Sequence, residues 1–202
     1  MAQNGLAWSL VILIQAMRGK QVAVLRQAAK DGALNLVESL CYSTAINDRL
    51  LDLQWLRQQS LDVPWIADRI RRWAAWGGAI AVLAWLQDIG VALDASTCAD
   101  AALEGRINVI EWARARGLPW DERACSAAAA KNRLAALQWL RARGCPWDAS
   151  TCAAAAKGGH LEALQWARQE GCPWDAETMY AAVEGNHQDV LCWALEHSCP
   201  FV

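Results

Sequence analysis

The sequence predicts an all-α chain, a solenoid of about seven stacked helix-turn-helix repeats. Three observations predict it. A period of 27 residues runs through the later part of the chain; helix start and stop signals recur at fixed places within each period; and no segment shows the sustained apolar–polar alternation of a half-buried strand.

The period is carried by columns of identical residues. Trp85, Trp112, Trp139, Trp166 and Trp193 stand 27 apart, as do Asp94, Asp121, Asp148 and Asp175, and Pro119, Pro146, Pro173 and Pro200. Upstream the register loosens. Trp55 lies 30 residues before Trp85, implying about three extra residues near Val63 to Asp68. Gly32 and Ser60 take the place of Gly144, with Val22 to Leu25 and Leu50 to Leu53 at the apolar positions of Leu161 and Leu164. The whole chain, 1–202, reads as one repeat domain. Its parts are a degenerate N-terminal capping repeat at 1–32, repeats at 33–60, 61–90, 91–117, 118–144, 145–171 and 172–198, and a C-terminal stub at 199–202.

Each element follows from its residues. At the start, the apolar run Leu6 to Met17, interrupted by Ser9 and Gln15, is too short to span a bilayer and has no basic flank or cleavage site. It is read as a helix of the mature fold, and Leu10 to Ile14 is apolar all round, which suits self-association or an assembly contact. In a typical repeat, Asp148 or Ser150 caps a first helix over Thr151 to Lys157, an Ala-rich stretch of high helix propensity. Gly158-Gly159 ends it. A second helix runs from about Leu161 to Gln169, burying Leu161, Leu164 and Trp166 or Ala167, with Glu162, Gln165 and Arg168 outside. Gly171 closes that helix and Pro173 prevents its continuation. Helices this short cannot bury an apolar face alone, so the repeats stack. The Trp166 and Trp147 columns are each expected to form a ladder in buried positions.

Composition narrows the function classes. Of 202 residues, 55% are hydrophobic and 20% charged, and the net charge of −2 supplies no global field for nucleic acid or an acidic membrane. Any charged recognition has to be local. Eight cysteines invite a disulfide framework, but Cys98, Cys125 and Cys152 form one column and Cys145, Cys172 and Cys199 another. Stacked helices lie ~8–10 Å apart, and a disulfide needs Cα atoms within ~4.4–6.8 Å, so column neighbours do not bridge. No CxxC or nearby His gives zinc spacing. The thiols read as reduced, buried fillers of an intracellular, cytoplasmic protein.

The run Gly159-His160-Leu161-Glu162-Ala163-Leu164-Gln165-Trp166-Ala167, followed by Gly171-Cys172-Pro173-Trp174-Asp175, resembles the second helix and loop start of ankyrin repeats. Thr151 to Gly159 resembles their first helix. Ankyrin units are six residues longer, and the shortfall falls where that family makes its projecting β-hairpin finger; the Thr-Pro-Leu-His opening is also absent. The chain is similar to a short, Trp- and Cys-rich ankyrin variant. The resemblance implies a protein-interaction scaffold with neither cofactor nor catalytic residues, its partner held by the concave first-helix face and the short loops. The alternative is a structural subunit held in a larger assembly through the apolar N-terminal helix.

Departures from the columns mark candidate contact residues. Arg69, Arg72, Trp73 and Trp76 share a helical face at spacings of three and four, and Arg and Trp are enriched in binding hot spots. The alternative is that Trp73 and Trp76 fill the space made by the local insertion while the Arg side chains are solvated. A nucleic-acid role for this cluster would require strongly salt-sensitive affinity, and the near-neutral charge argues against it. Asp100 stands in a column otherwise holding Trp73, Ala127, Ala154 and Ala181, so that column is partly open or Asp100 has a partner such as Arg71 or Arg72. The expected contact surface is the first-helix face, adding Glu104, Glu122, Arg123, Lys131, Lys157, Tyr180 and Glu184. No nucleophile–base pair or phosphate loop is announced.

Overall fold

The computed structural model describes residues 8–59 and 67–201, and of Leu34 the backbone alone. All the regular structure among them is helical, fourteen helices in seven successive pairs. The insertion expected near Val63 to Asp68 lies, up to residue 66, outside the described residues, as do the first residues of the apolar run that begins at Leu6.

The chain divides into two compact units, Met1–Ala92 and Leu93–Val202. The N-terminal unit pairs α1 (Leu10–Arg18) with α2 (Val22–Lys30), α3 (Leu34–Ile46) with α4 (Leu50–Gln58), and α5 (Ala67–Gly77) with α6 (Ile80–Asp88). Here α1 packs on α3 and α3 on α5. Leu13, Met17, Leu25, Val37, Leu40 and Leu56 form a buried cluster, and Leu10 and Ile14 pack against it. The N-terminal helix is therefore one-sided: Val11, at 63% exposure, is its large apolar residue left open.

The C-terminal unit pairs α7 (Ala95–Leu103) with α8 (Ile107–Ala115), α9 (Glu122–Ala130) with α10 (Leu134–Ala142), α11 (Ala149–Lys157) with α12 (Leu161–Gln169), and α13 (Ala176–Glu184) with α14 (Gln188–Glu196). The first helices α7, α9, α11 and α13 lie directly on one another, while the second helices mainly contact their own partners. Side-chain size explains the difference. Ala101, Ala128 and Ala155, with Ala102, Ala129 and Ala156, are fully buried and let the helix backbones approach.

The Asp column caps all four first helices. Asp94, Asp121, Asp148 and Asp175 accept from the amides of Ser96, Arg123, Ser150 and Glu177 at 2.9–3.2 Å. Asn132 and Asn186 take the left-handed conformation that Gly159 takes at φ +71°, which asparagine tolerates. At the other end of each repeat a Schellman closure accounts for a cysteine column: Gly144 has φ +80°, and the Cys145 amide bonds back to the Leu140 carbonyl at 3.0 Å. The residue in this place, Leu118, Cys145, Cys172 or Cys199, is buried.

Two packing expectations change. The second helix α12 buries Ala163, Leu164 and Ala167, whereas Leu161 and Trp166 are half-buried. Nor do the tryptophans form core ladders: Trp120, Trp139, Trp147, Trp166, Trp174 and Trp193 are all half-buried, because Leu137, Leu140, Leu164 and the alanines already fill the space between helices.

Candidate functional site

The first helices expose one face in register. Its outer columns include Ser96, Arg123, Ser150 and Glu177 on one edge and Leu103, Ala130, Lys157 and Glu184 on the other, with Asp100, Ala127 and Ala154 half-buried between them. Arg123 is exposed and folds onto its own helix cap, Asp121, at 2.7 Å. That hydrogen bond holds the Asp121 carboxyl below the usual carboxylate range. Glu122 is half-buried and Lys131 exposed. Glu104 reaches Arg133 of the next repeat at 2.7 Å, and Lys157 reaches Glu184 at 3.0 Å, so the second edge is laced by pairs between repeats. Tyr180 is exposed and stacks on Phe201 with ring centroids 6.3 Å apart.

In the N-terminal unit, α5 carries the Arg–Trp cluster. Arg69 pairs with Glu38 of α3 and Arg72 is exposed. Trp73 is half-buried, edge-on to Tyr42 at 5.3 Å, and Trp76 is half-buried. Part of this cluster is thus packed against α3, through Trp73 on Tyr42 and Arg69 on Glu38.

No protein-family profile matches the sequence, and no curated protein matches it either. Among solved structures, the chain is similar to the ankyrin repeat domain of human ASB11, at 15% identity and a TM-score of 0.54, over 79% of this chain and 83% of that one. The fold is ankyrin-like. A weaker likeness, with a TM-score of 0.41 and 18% identity, links 94% of this chain with 34% of the pentatricopeptide repeat protein PPR10, solved in complex with an 18-nt psaJ RNA element.

The ankyrin-like repeats also build a second surface that the column reading missed. Tryptophans meet across columns: Trp120 with Trp139 at 6.4 Å, Trp147 with Trp166 at 5.9 Å, and Trp174 with Trp193 at 5.7 Å, all edge-on. Arginines from the second helices lie over these rings. Arg114 covers Trp120 at 4.5 Å, Arg141 covers Trp147 at 4.5 Å, Arg168 covers Trp174 at 4.3 Å, and Arg143 covers Trp139 at 4.0 Å. Arg114 also donates to the Leu118 carbonyl at 2.5 Å, and Arg168 to that of Cys172, clamping the loop that follows. Open grooves recur beside these stacks. One of 640 Å³ is lined by Gln138, Arg141, Ala142, Gly144, Trp166 and Glu170, and one of 500 Å³ by Gln165, Arg168, Gln169, Trp174, Trp193 and His197. In the N-terminal unit Gln54, Arg57, Gln58 and Trp85 line the equivalent, of 460 Å³. The signal lies in the sequence as an Arg column of period 27, Arg114, Arg141 and Arg168.

The cysteines are free thiols, and six of the eight are buried. Here too the contacts run across columns. The Cys145 thiol hydrogen-bonds Cys125, and that contact together with burial holds it above its ordinary value; Cys152 stands in the same relation to Cys172. Burial pushes Cys98 and Cys199 up to about 11. Among the described residues, no group of three or more His, Cys, Asp or Glu is placed to hold a metal ion, and no helix is long and apolar enough to cross a membrane.

Proposed function

We propose that this chain is a non-catalytic protein-interaction scaffold, binding a partner protein along its first-helix face and the short inter-repeat loops, with no cofactor. The observation that carries the reading is the register of that face in an ankyrin-like fold. Half-buried Ala127 and Ala154 lie between columns bearing exposed Arg123 on one side and exposed Lys157 and Glu184 on the other. Asp100, Glu104, Glu122, Lys131 and Tyr180 extend the same surface, and in the N-terminal unit Arg69, Arg72, Trp73 and Trp76 offer an anchor of the composition found in hot spots. Free, buried thiols suit a reducing, intracellular compartment.

Affinity capture from the native source, followed by mass spectrometry, supplies the partner for the test. The variants K131E/K157E and R69E/R72E are expected to weaken its binding by at least ~tenfold each, the effect of losing ~1.4 kcal/mol of contact. Unchanged binding by both, with loss on substitution of exposed second-helix residues, would refute the assignment of the face.

A further inference from the structure

The second-helix surface of the C-terminal unit has a charge pattern of its own. The segments 106–117 and 133–144 hold six arginines against one acid, Glu111, whereas 160–171 and 187–198 hold one arginine against four acids. Positive charge is thus concentrated at α8 and α10 in a chain whose net charge is −2. Arg133 is tied to Glu104, and Arg143 meets Glu111 at 3.6 Å with both side chains about half exposed. Arg114, Arg116, Arg141 and Arg143 gather at the C-terminal ends of their helices, and all four are exposed. Each lies over an indole: Arg116 covers Trp112 at 4.7 Å, beside the three stacks already described.

Stacking fixes what such arginines can recognise. A guanidinium held over a ring is restrained, and the donors not spent within the chain, as Arg114 spends one on the Leu118 carbonyl, keep the planar fork that matches a carboxylate. The same stacking occupies the rings: Trp139 carries Arg143 and meets Trp120, and Trp147 carries Arg141 and meets Trp166. Nucleic-acid bases therefore find less open ring surface here, and base stacking supplies much of the affinity for single strands. The groove of 640 Å³ beside Arg141 opens between α10 and α12 and gives an extended chain a place to lie.

We infer that this surface, centred on Arg114, Arg116, Arg141 and Arg143, binds an acidic, extended segment of a partner protein, its carboxylates seated on successive stacked guanidinium groups. Directly stacked helices repeat at ~8–10 Å, and the second helices, with few backbone contacts between them, at that spacing or somewhat more; a polyproline-II segment covers ~9 Å in three residues. The fitting peptide carries an acid at about every third position. This surface is separate from the first-helix face and stands independently of it.

Fluorescence anisotropy of the full chain with a fluorescein-labelled repeat of Glu-Pro-Pro tests this directly. Binding is expected for that peptide and not for the matched repeat of Gln-Pro-Pro. R141Q/R143Q is expected to weaken it by ~tenfold or more, with circular dichroism unchanged, and K131E/K157E is expected to leave it unaltered. The inference is overturned by absence of binding to the wild-type chain, by equal binding of the Gln-Pro-Pro repeat, or by tighter binding of an oligothymidylate of the same length. It also fails if R141Q/R143Q binds normally. Loss in K131E/K157E with retention in R141Q/R143Q would move the acidic peptide to the first-helix face, sinking this inference and leaving the scaffold reading in place.

Discussion

Replacing Gly158 with alanine sets two physical rules against each other. Gly158 closes α11 with φ −80° and ψ −7°, ordinary helical values at which alanine suffers no backbone strain. Propensity and the stiffer unfolded chain alone therefore make G158A stabilising, by ~0.4–1 kcal/mol. Packing says the reverse. A Cβ there would sit 2.5 Å from Cδ2 and 2.6 Å from Nε2 of His160, and 2.9 Å from the Ala130 carbonyl oxygen. The imidazole has to leave, surrendering the 3.1 Å hydrogen bond between its Nε2 and that carbonyl, a loss of ~0.5–1.5 kcal/mol. Relieving the backbone contact adds an overpacking cost of ~1–3 kcal/mol. The balance is a destabilisation of ~1–3 kcal/mol, or a fall in Tm of ~2–4 °C per kcal/mol for a chain of this size. Repeats support the pairing: Gly185 precedes His187 as Gly158 precedes His160, whereas Lys131 and Glu104 occupy the glycine's place where flexible Arg133 and Arg106 replace the ring. Thermal unfolding followed by tryptophan fluorescence and circular dichroism measures it. In an H160A background the cost of G158A is expected to shrink by at least ~1 kcal/mol, a coupling expected of residues in contact. A G158A chain as stable as wild type would refute the steric argument.

Two further outcomes follow from the caps and the thiols. The Asp121 carboxyl has a depressed pKa in the folded chain, so its contribution is present above the ordinary value of 3.8 and is lost as pH falls through the lower folded value. Urea unfolding of D121N between about pH 5 and pH 2.5 is expected to show a shallower acid loss than wild type; identical slopes would contradict the stabilisation of the carboxylate by Arg123. Reaction with a disulfide reagent at neutral pH is expected to modify Cys192 first, because it is exposed, with the six buried thiols protected until the chain unfolds. Rapid modification of the buried set in the folded protein would overturn the packing described for Cys145 and Cys172.

Local signals in single repeats were the most legible. Asp148 as a cap, Gly171 as a terminator and the span of α12 follow from residue chemistry within one period, because capping and left-handed turns are decided by neighbours a few residues away. Relations between repeats were less so. Columns of period 27 suggest that like meets like, yet Trp147 touches Trp166 and Cys145 touches Cys125, because the loop of one repeat lies against helices at a different offset. Size also misled: an indole in a regular column suggests a core residue, but Leu137 and Leu140 are fully buried and Trp139 is not. Arg168 reads only as an outside residue of its helix, because nothing in helical spacing reveals a ring supplied by the following loop. The first-helix column Leu103, Ala130, Lys157 and Glu184 varies in residue type, and Lys157 and Glu184 in it are exposed while Leu103 and Ala130 are half-buried.

The alanine contacts between first helices have a mechanical consequence. In the C-terminal unit the dense packing lies along one side of each repeat, and the second helices are joined to their neighbours by side chains alone. The first side acts as a stiff spine and the second as a compliant rim. Flexing about the spine changes the width of the grooves without breaking a buried alanine contact. A ligand on the rim can thus draw neighbouring repeats together, at an elastic cost shared between the indole–guanidinium contacts and the buried leucines Leu137, Leu140 and Leu164.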